Sequence, residues 1–107
     1  MNPEREPVEF LDDPDDVELA ATLKALGNPV RLRLVRYMLA HPGCITGDLV
    51  EFADLAQSTV SRHLQVLRNA GIVEGEAEGS AVCYCLNPNC LPSLRRRLRT
   101  LDISNQG

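Results

Sequence analysis

The sequence predicts a mainly α fold with a single β-hairpin near its C-terminal end. Three observations predict it. Apolar residues recur at helical spacing in successive segments between residues 13 and 101. The period changes to simple alternation only between Ile72 and Leu86. The chain has 107 residues, 44% of them apolar, which suits one core and not two.

The elements follow in order. Residues 1–12 mix acids and prolines with little periodic apolar character, and read as a flexible acidic arm. Asp13-Pro14-Asp15-Asp16 opens a first helix: Asp13 can cap, Pro14 suits the first helical position, and acids favour the positive helix start. Val17, Ala20, Ala21 and Leu23 share a side of it, and Gly27 stops it. Asn28-Pro29 repeats the start signal. Val30, Leu34, Tyr37 and Met38 then form an apolar stripe, and His41-Pro42-Gly43 ends that helix. Thr46 can cap a short third helix running to about Phe52. Ala53-Asp54-Leu55-Ala56 is a tight turn into a fourth helix, Gln57 to Ala70, with Gly71 as a left-handed stop. Val60, Leu64 and Leu67 recur at i, i+4, i+7 and must face the core. Ile72–Glu76 and Ala81–Leu86 read as strands around a turn at Ala77-Glu78-Gly79-Ser80. A last helix spans Leu91 to Leu101, with Pro92 in its first turn and Leu94, Leu98 and Leu101 on one stripe. Residues 102–107 form a tail. This order is a helix-turn-helix followed by a β wing, one domain over residues 13–101.

Charge is unevenly placed. The chain carries a net −4, but residues 1–19 hold eight acids and one base, so the body is mildly basic. Steering of a polyanion depends on that local field and not on the sum. No apolar run is long enough to span a bilayer, and the N-terminal residues lack the layout of a secretory signal, so a cytoplasmic protein with no membrane partner is expected. In that compartment the four cysteines are expected as thiols, metal ligands or redox sensors. Four aromatics are too few for a platform that stacks single-stranded nucleic acid. No nucleophile–base–orienter set and no Gly-rich phosphate loop is present, so no enzyme is expected.

The fourth helix carries the expected chemistry. Opposite its apolar stripe lie Ser58, Ser61, Arg62, Gln65 and Asn69, and from Leu55 to Val73 there is no carboxylate. A surface pressed against phosphates must avoid acids, while hydroxyls, amides and Arg match base edges and backbone oxygens of duplex DNA. Gln57, Ser58, Thr59, Ser61, Arg62, His63 and Gln65 are the candidate DNA-contacting residues. The wing strand carries Glu74, Glu76 and Glu78 on one side, so that side is not expected to grip phosphate.

Cys83, Cys85 and Cys90 fall within eight residues. Alternation puts Val82, Tyr84 and Leu86 on the expected core face, leaving Cys83 and Cys85 together on the outer face, with Cα atoms about 6.5 Å apart. The turn Asn87-Pro88-Asn89 can bring back Cys90, whose place at a helix start favours a thiolate. Three sulfurs without an adjacent His or carboxylate suit a thiophilic ion such as As(III) or Sb(III). Cys44 is a possible extra thiol. Simple packing of buried cysteines is the alternative. So is an oxidative or persulfide switch, in which Cys85 and Cys90 pair better than Cys83 and Cys85. A dimeric interaction module with a structural zinc site is a third reading.

The stretches Leu26-Gly27-Asn28-Pro29-Val30-Arg31-Leu32-Arg33-Leu34 and Gln57-Ser58-Thr59-Val60-Ser61-Arg62-His63-Leu64-Gln65-Val66-Leu67-Arg68-Asn69-Ala70-Gly71-Ile72-Val73 resemble the arsenic-repressor winged-helix family, ArsR/SmtB, and the likeness covers about residues 17–101. The resemblance implies a homodimeric bacterial repressor, released from a palindromic operator when a soft metal or metalloid binds. It implies dimerisation through the first and last helices, here Val17, Ala20, Leu23, Leu94, Leu98 and Leu101. It also implies a structural or phosphate-facing role for His63, whereas His41 reads as a solvated helix-end residue. Two departures matter. Many arsenic repressors carry a Cys-Val-Cys-Asp-Leu box where this chain has Ile45-Thr46-Gly47-Asp48-Leu49, and zinc-type members use His and carboxylates on a last helix that here has none. The Val82-Cys83-Tyr84-Cys85 run is similar to a subgroup of arsenic-responsive members, which leaves the wing thiols as the candidate sensor.

Overall fold

The computed structural model describes residues 13–41, 48–78 and 81–101. The acidic arm, the 102–107 tail, Cys44, Thr46 and the Gly79-Ser80 tip lie outside the described residues. Among the described residues, five helices and one hairpin follow in the expected order: α1 (Pro14–Leu26), α2 (Pro29–Ala40), α3 (Asp48–Ala53), α4 (Gln57–Asn69), β1 (Val73–Glu78), β2 (Ala81–Leu86) and α5 (Cys90–Arg99).

Local chemistry sets the helix ends. Asp13 is extended and its carboxylate accepts from the Asp15 N–H at 2.9 Å, with Pro14 in the first turn. Asn28 caps α2 more completely, its side-chain oxygen accepting from the Val30 N–H at 2.9 Å and the Arg31 N–H at 3.1 Å. Asn28→Ala leaves both donors without that acceptor. It is expected to lower stability by about 1 kcal/mol, read as a lower urea midpoint at unchanged slope. Gly27 ends α1 as its C-cap, at φ −78°. Gly71 follows Ala70 at the end of α4 and is the left-handed stop, at φ +79°. Asp54 takes φ +54° in the turn between α3 and α4, a conformation Asp tolerates better than most residues.

One core joins these elements. Leu34, Leu49, Leu67 and Ile72 are fully buried, with Val35, Met38, Val60, Leu64 and Val73 around them. The Val60/Leu64/Leu67 stripe faces inward as its spacing predicts. On α1 the buried residues are Leu19, Thr22 and Ala25, while Val17, Ala20, Ala21 and Leu23 are exposed. The apolar side of α1 that the sequence advertises therefore points away from this core.

The hairpin is longer than its sequence suggested. Its antiparallel ladder runs from Val73↔Leu86 to Glu78↔Ala81, so Ala77 and Glu78 belong to β1 and not to the turn. Tyr84 and Leu86 pack against the core. Asn87 ties the hairpin's exit to its entrance: its N–H donates to the Ile72 carbonyl at 2.9 Å and its side-chain amide donates to the Gly71 carbonyl at 3.0 Å. Its side-chain oxygen also accepts from the Asn89 N–H at 3.0 Å, which shapes the turn into α5. No residue of α5 is fully buried. The helix touches α1, where Arg97 pairs with Glu18 at 3.1 Å.

Candidate DNA-reading face and wing thiols

Burial of Val60, Leu64 and Leu67 turns the opposite side of α4 to solvent. Gln57, Ser58, Ser61, Arg62, Gln65 and Asn69 are exposed, and Thr59 is half-buried. The Gln65 amide donates to the Asn69 side-chain oxygen at 2.8 Å, one turn along the helix, which lines up two amides on that face. The first turn holds no acid, and Ala56 provides no side-chain cap. Its leading N–H groups and positive dipole end are thus available to an anion. The face can donate to phosphates and exchange hydrogen bonds with base edges.

His63 stands apart from that row. It is half-buried, and its Nδ1 lies 3.3 Å from an Arg31 guanidinium nitrogen of α2. Arg31 also donates to the Ala25 carbonyl and, at 3.4 Å, to the Lys24 carbonyl, both at the C-terminal end of α1. Burial holds the His63 pKa below its ordinary 6.5, and the Arg31 and Arg62 cations push it the same way. His41 is exposed, and its ring stacks on Tyr37 with centroids 4.1 Å apart.

The wing differs from its expected layout in two ways. Cys83 is only 3% exposed, so it does not sit on an open outer face beside Cys85, which is half-buried. The face opposite Tyr84 is thus covered at Cys83, which strand alternation alone cannot reveal. The register also sets Glu76 opposite Cys83 and Glu74 opposite Cys85. Directly opposed residues share a face, so carboxylates flank these cysteines, contrary to a sulfur set without neighbouring acids. Glu74 and Glu76 are themselves exposed.

Cys90 occupies a different environment. It packs against the core and lines a cleft of about 250 Å³ between α1 and α5, with Glu18, Thr22, Asn87, Ser93 and Arg97. Neither Cys83 nor Cys85 lines this cleft. Among the described residues, no group of three or more His, Cys, Asp or Glu side chains stands where it could hold a metal ion. The three sulfurs are therefore not gathered at rest within one chain. Burial raises the Cys90 pKa above its ordinary 9.0, and Glu18 adds to this while Arg97 opposes it. The start of α5 was expected to favour a thiolate; removal of the thiol from water outweighs that dipole and the nearby guanidinium.

The candidate dimer residues divide similarly. Val17 (56% exposed), Leu23 (40%), Leu98 (40%) and Leu101 (62%) are open to solvent, as is Ala20, whereas Leu94 is half-buried in the cleft wall. No helix among the described residues is long and apolar enough to cross a membrane.

Comparison with known proteins gives consistent relatives. A family model described as a helix-turn-helix domain matches residues 26–76. The chain is 30% identical to the arsenical resistance operon repressor of Staphylococcus xylosus over 90 residues, covering 84% of this chain and 86% of the relative. It is 40% identical over 76 residues to the HTH-type transcriptional regulator NmtR of Mycobacterium tuberculosis, covering 71% of this chain and 62% of NmtR. The chain thus spans less than two thirds of that relative's length. A crystal structure described as a possible transcriptional regulator for arsenical resistance superposes with a TM-score of 0.66 at 31% identity, covering 75% of this chain and 82% of the other.

Proposed function

The chain belongs to the ArsR/SmtB family of winged helix-turn-helix transcriptional regulators, and on that premise we propose that it is a repressor that binds a palindromic operator as a homodimer and leaves it on capturing As(III) or Sb(III). The observation that carries the DNA-binding half is the exposed, acid-free face of α4 opposite its buried stripe. A two-fold dimer through the exposed apolar residues of α1 and α5 presents two such faces. They must reach major grooves about 34 Å apart, one helical turn of the duplex.

The sensing half uses Cys83, Cys85 and Cys90. Arsenous acid and three thiols exchange three As–O bonds for three As–S bonds and release three waters. The sulfurs must first be gathered. Bringing Cys90 to the wing draws it from its cleft against α1 and disturbs the Asn87 bonds to Gly71 and Ile72. Occupancy of the thiols thus competes with the packing of α5 on α1, which supports the dimer and the spacing of its reading helices. Allosteric coupling is typically about 1–3 kcal/mol, and about 2.7 kcal/mol weakens operator binding about a hundredfold.

The test is fluorescence anisotropy of labelled DNA from upstream of the protein's own gene, with reduced protein and increasing arsenite. Wild type is expected to bind and then to release about a hundredfold. Cys85→Ser is expected to bind equally and stay bound. Equal release from Cys83→Ser and Cys85→Ser removes the wing site, and no binding to that DNA removes the repressor reading. Release by peroxide and not by arsenite assigns an oxidative switch instead.

A further inference from the structure

Arg31 joins three elements at one point. Its backbone N–H is held by the Asn28 cap, its guanidinium donates to the terminal carbonyls of α1, and one guanidinium nitrogen meets His63 of α4. Both terminal carbonyls favour a cation there, since they form the negative end of the α1 dipole. Arg has no acceptor atom and stays protonated. At 3.3 Å the Nδ1 of His63 must therefore be the acceptor, which requires a neutral ring with its proton on Nε2.

We infer that His63 is a positioning residue for operator binding: its neutral ring, gripped by Arg31, fixes the reading helix to the end of α1, and protonation of the ring releases that grip. The inference rests on the repressor reading above. In a dimer built on α1 and α5, the link from α1 to α4 sets how far apart the two reading faces stand. A protonated Nδ1 is a donor facing a donor, and a cation facing a cation. Arg31 from α2 and Arg62 from the same helix are the charges acting on the ring, both toward neutrality. From α1 the grip is completed by the backbone carbonyls of Lys24 and Ala25, which accept from the same guanidinium. Because burial and the two guanidinium groups lower the folded pKa below 6.5, the ring is neutral and the grip made at neutral pH, and the grip is lost as pH falls through that lowered pKa.

Operator affinity, measured at constant ionic strength, is expected to be lower at about pH 5.5 than at about pH 7.5, as the ring begins to take up its second proton. Circular dichroism at each pH checks that the protein remains folded. His63→Asn places a non-titrating oxygen near the Nδ1 position and is expected to abolish the fall. Arg31→Lys keeps the charge but loses the fork, and is expected to bind weakly at both pH values. Tighter binding on acidification, absent in His63→Asn, would mean that a charged His63 touches phosphate, and overturns the inference. So does an unchanged profile in His63→Asn. Failure of wild type to bind at pH 7.5 condemns the repressor reading instead, while ¹⁵N shifts of the imidazole still report the ring: protonation of both nitrogens at that pH would refute the grip itself.

Discussion

Arg62→Glu is expected to weaken operator binding by about a hundredfold or more while leaving the fold unchanged. Arg62 is exposed on the reading face between Ser61 and the Gln65–Asn69 pair, and it enters no described salt bridge. Its loss therefore removes little from the folded state, where surface substitutions are usually within about 0.5 kcal/mol. On DNA the arithmetic differs. A good Arg contact to a base is worth about 1–3 kcal/mol, and a dimer loses two. Each substitution also removes a cation and sets a carboxylate against the phosphates, in a stretch from Leu55 to Val73 that otherwise has none. Anisotropy across a salt series separates the contributions. If Arg62 contacts phosphate, Arg62→Ala should lower the slope of log K against log salt by about 2 for the dimer, with affinity lost evenly across sequences. If it reads a base, the slope changes less and discrimination at one operator position is lost. Binding within about threefold of wild type in Arg62→Glu would mean that another surface meets the DNA.

The helical framework was legible because its signals are local. The Asp13 and Asn28 caps, the Gly71 stop and the Val60/Leu64/Leu67 stripe each depend on residues within two turns of one another, and each stands where the sequence put it. The acid-free face of α4 was readable for the same reason. Signals that depend on which neighbour covers a residue were not. Leu19, Thr22 and Ala25 face the core although Val17 and Leu23 are more conspicuous, because partners on α2 and α4 decide which side of α1 is covered. Strand alternation gave the correct face for Tyr84 and Leu86 but could not show that Cys83 is covered on the other. The pairing of Glu74 with Cys85 needs the hairpin register, which the sequence placed too short. The Arg31–His63 contact spans 32 positions and has no local signature.

Leu67→Ala is expected to cost about 3 kcal/mol, the largest stability loss argued for this chain. Leu67 is fully buried and shares the core with Leu34, Leu49 and Ile72. Truncation removes its apolar burial and leaves a cavity that helices already tied by caps and the hairpin can fill only in part; such changes cost about 2–5 kcal/mol. A domain of this size is stable by about 5–15 kcal/mol in all. The melting midpoint should therefore fall by about 10–20 °C. The position also separates stability from recognition. Leu67 is on the same helix as Arg62 but on its inner side, so operator affinity per folded molecule should stay near wild type at temperatures where the variant remains folded. Arg62→Glu shows the reverse pattern, with an unchanged midpoint and lost affinity. If Leu67→Ala instead loses affinity while still fully folded, the inner stripe does more than hold α4 in place: it sets the angle at which the reading face is presented.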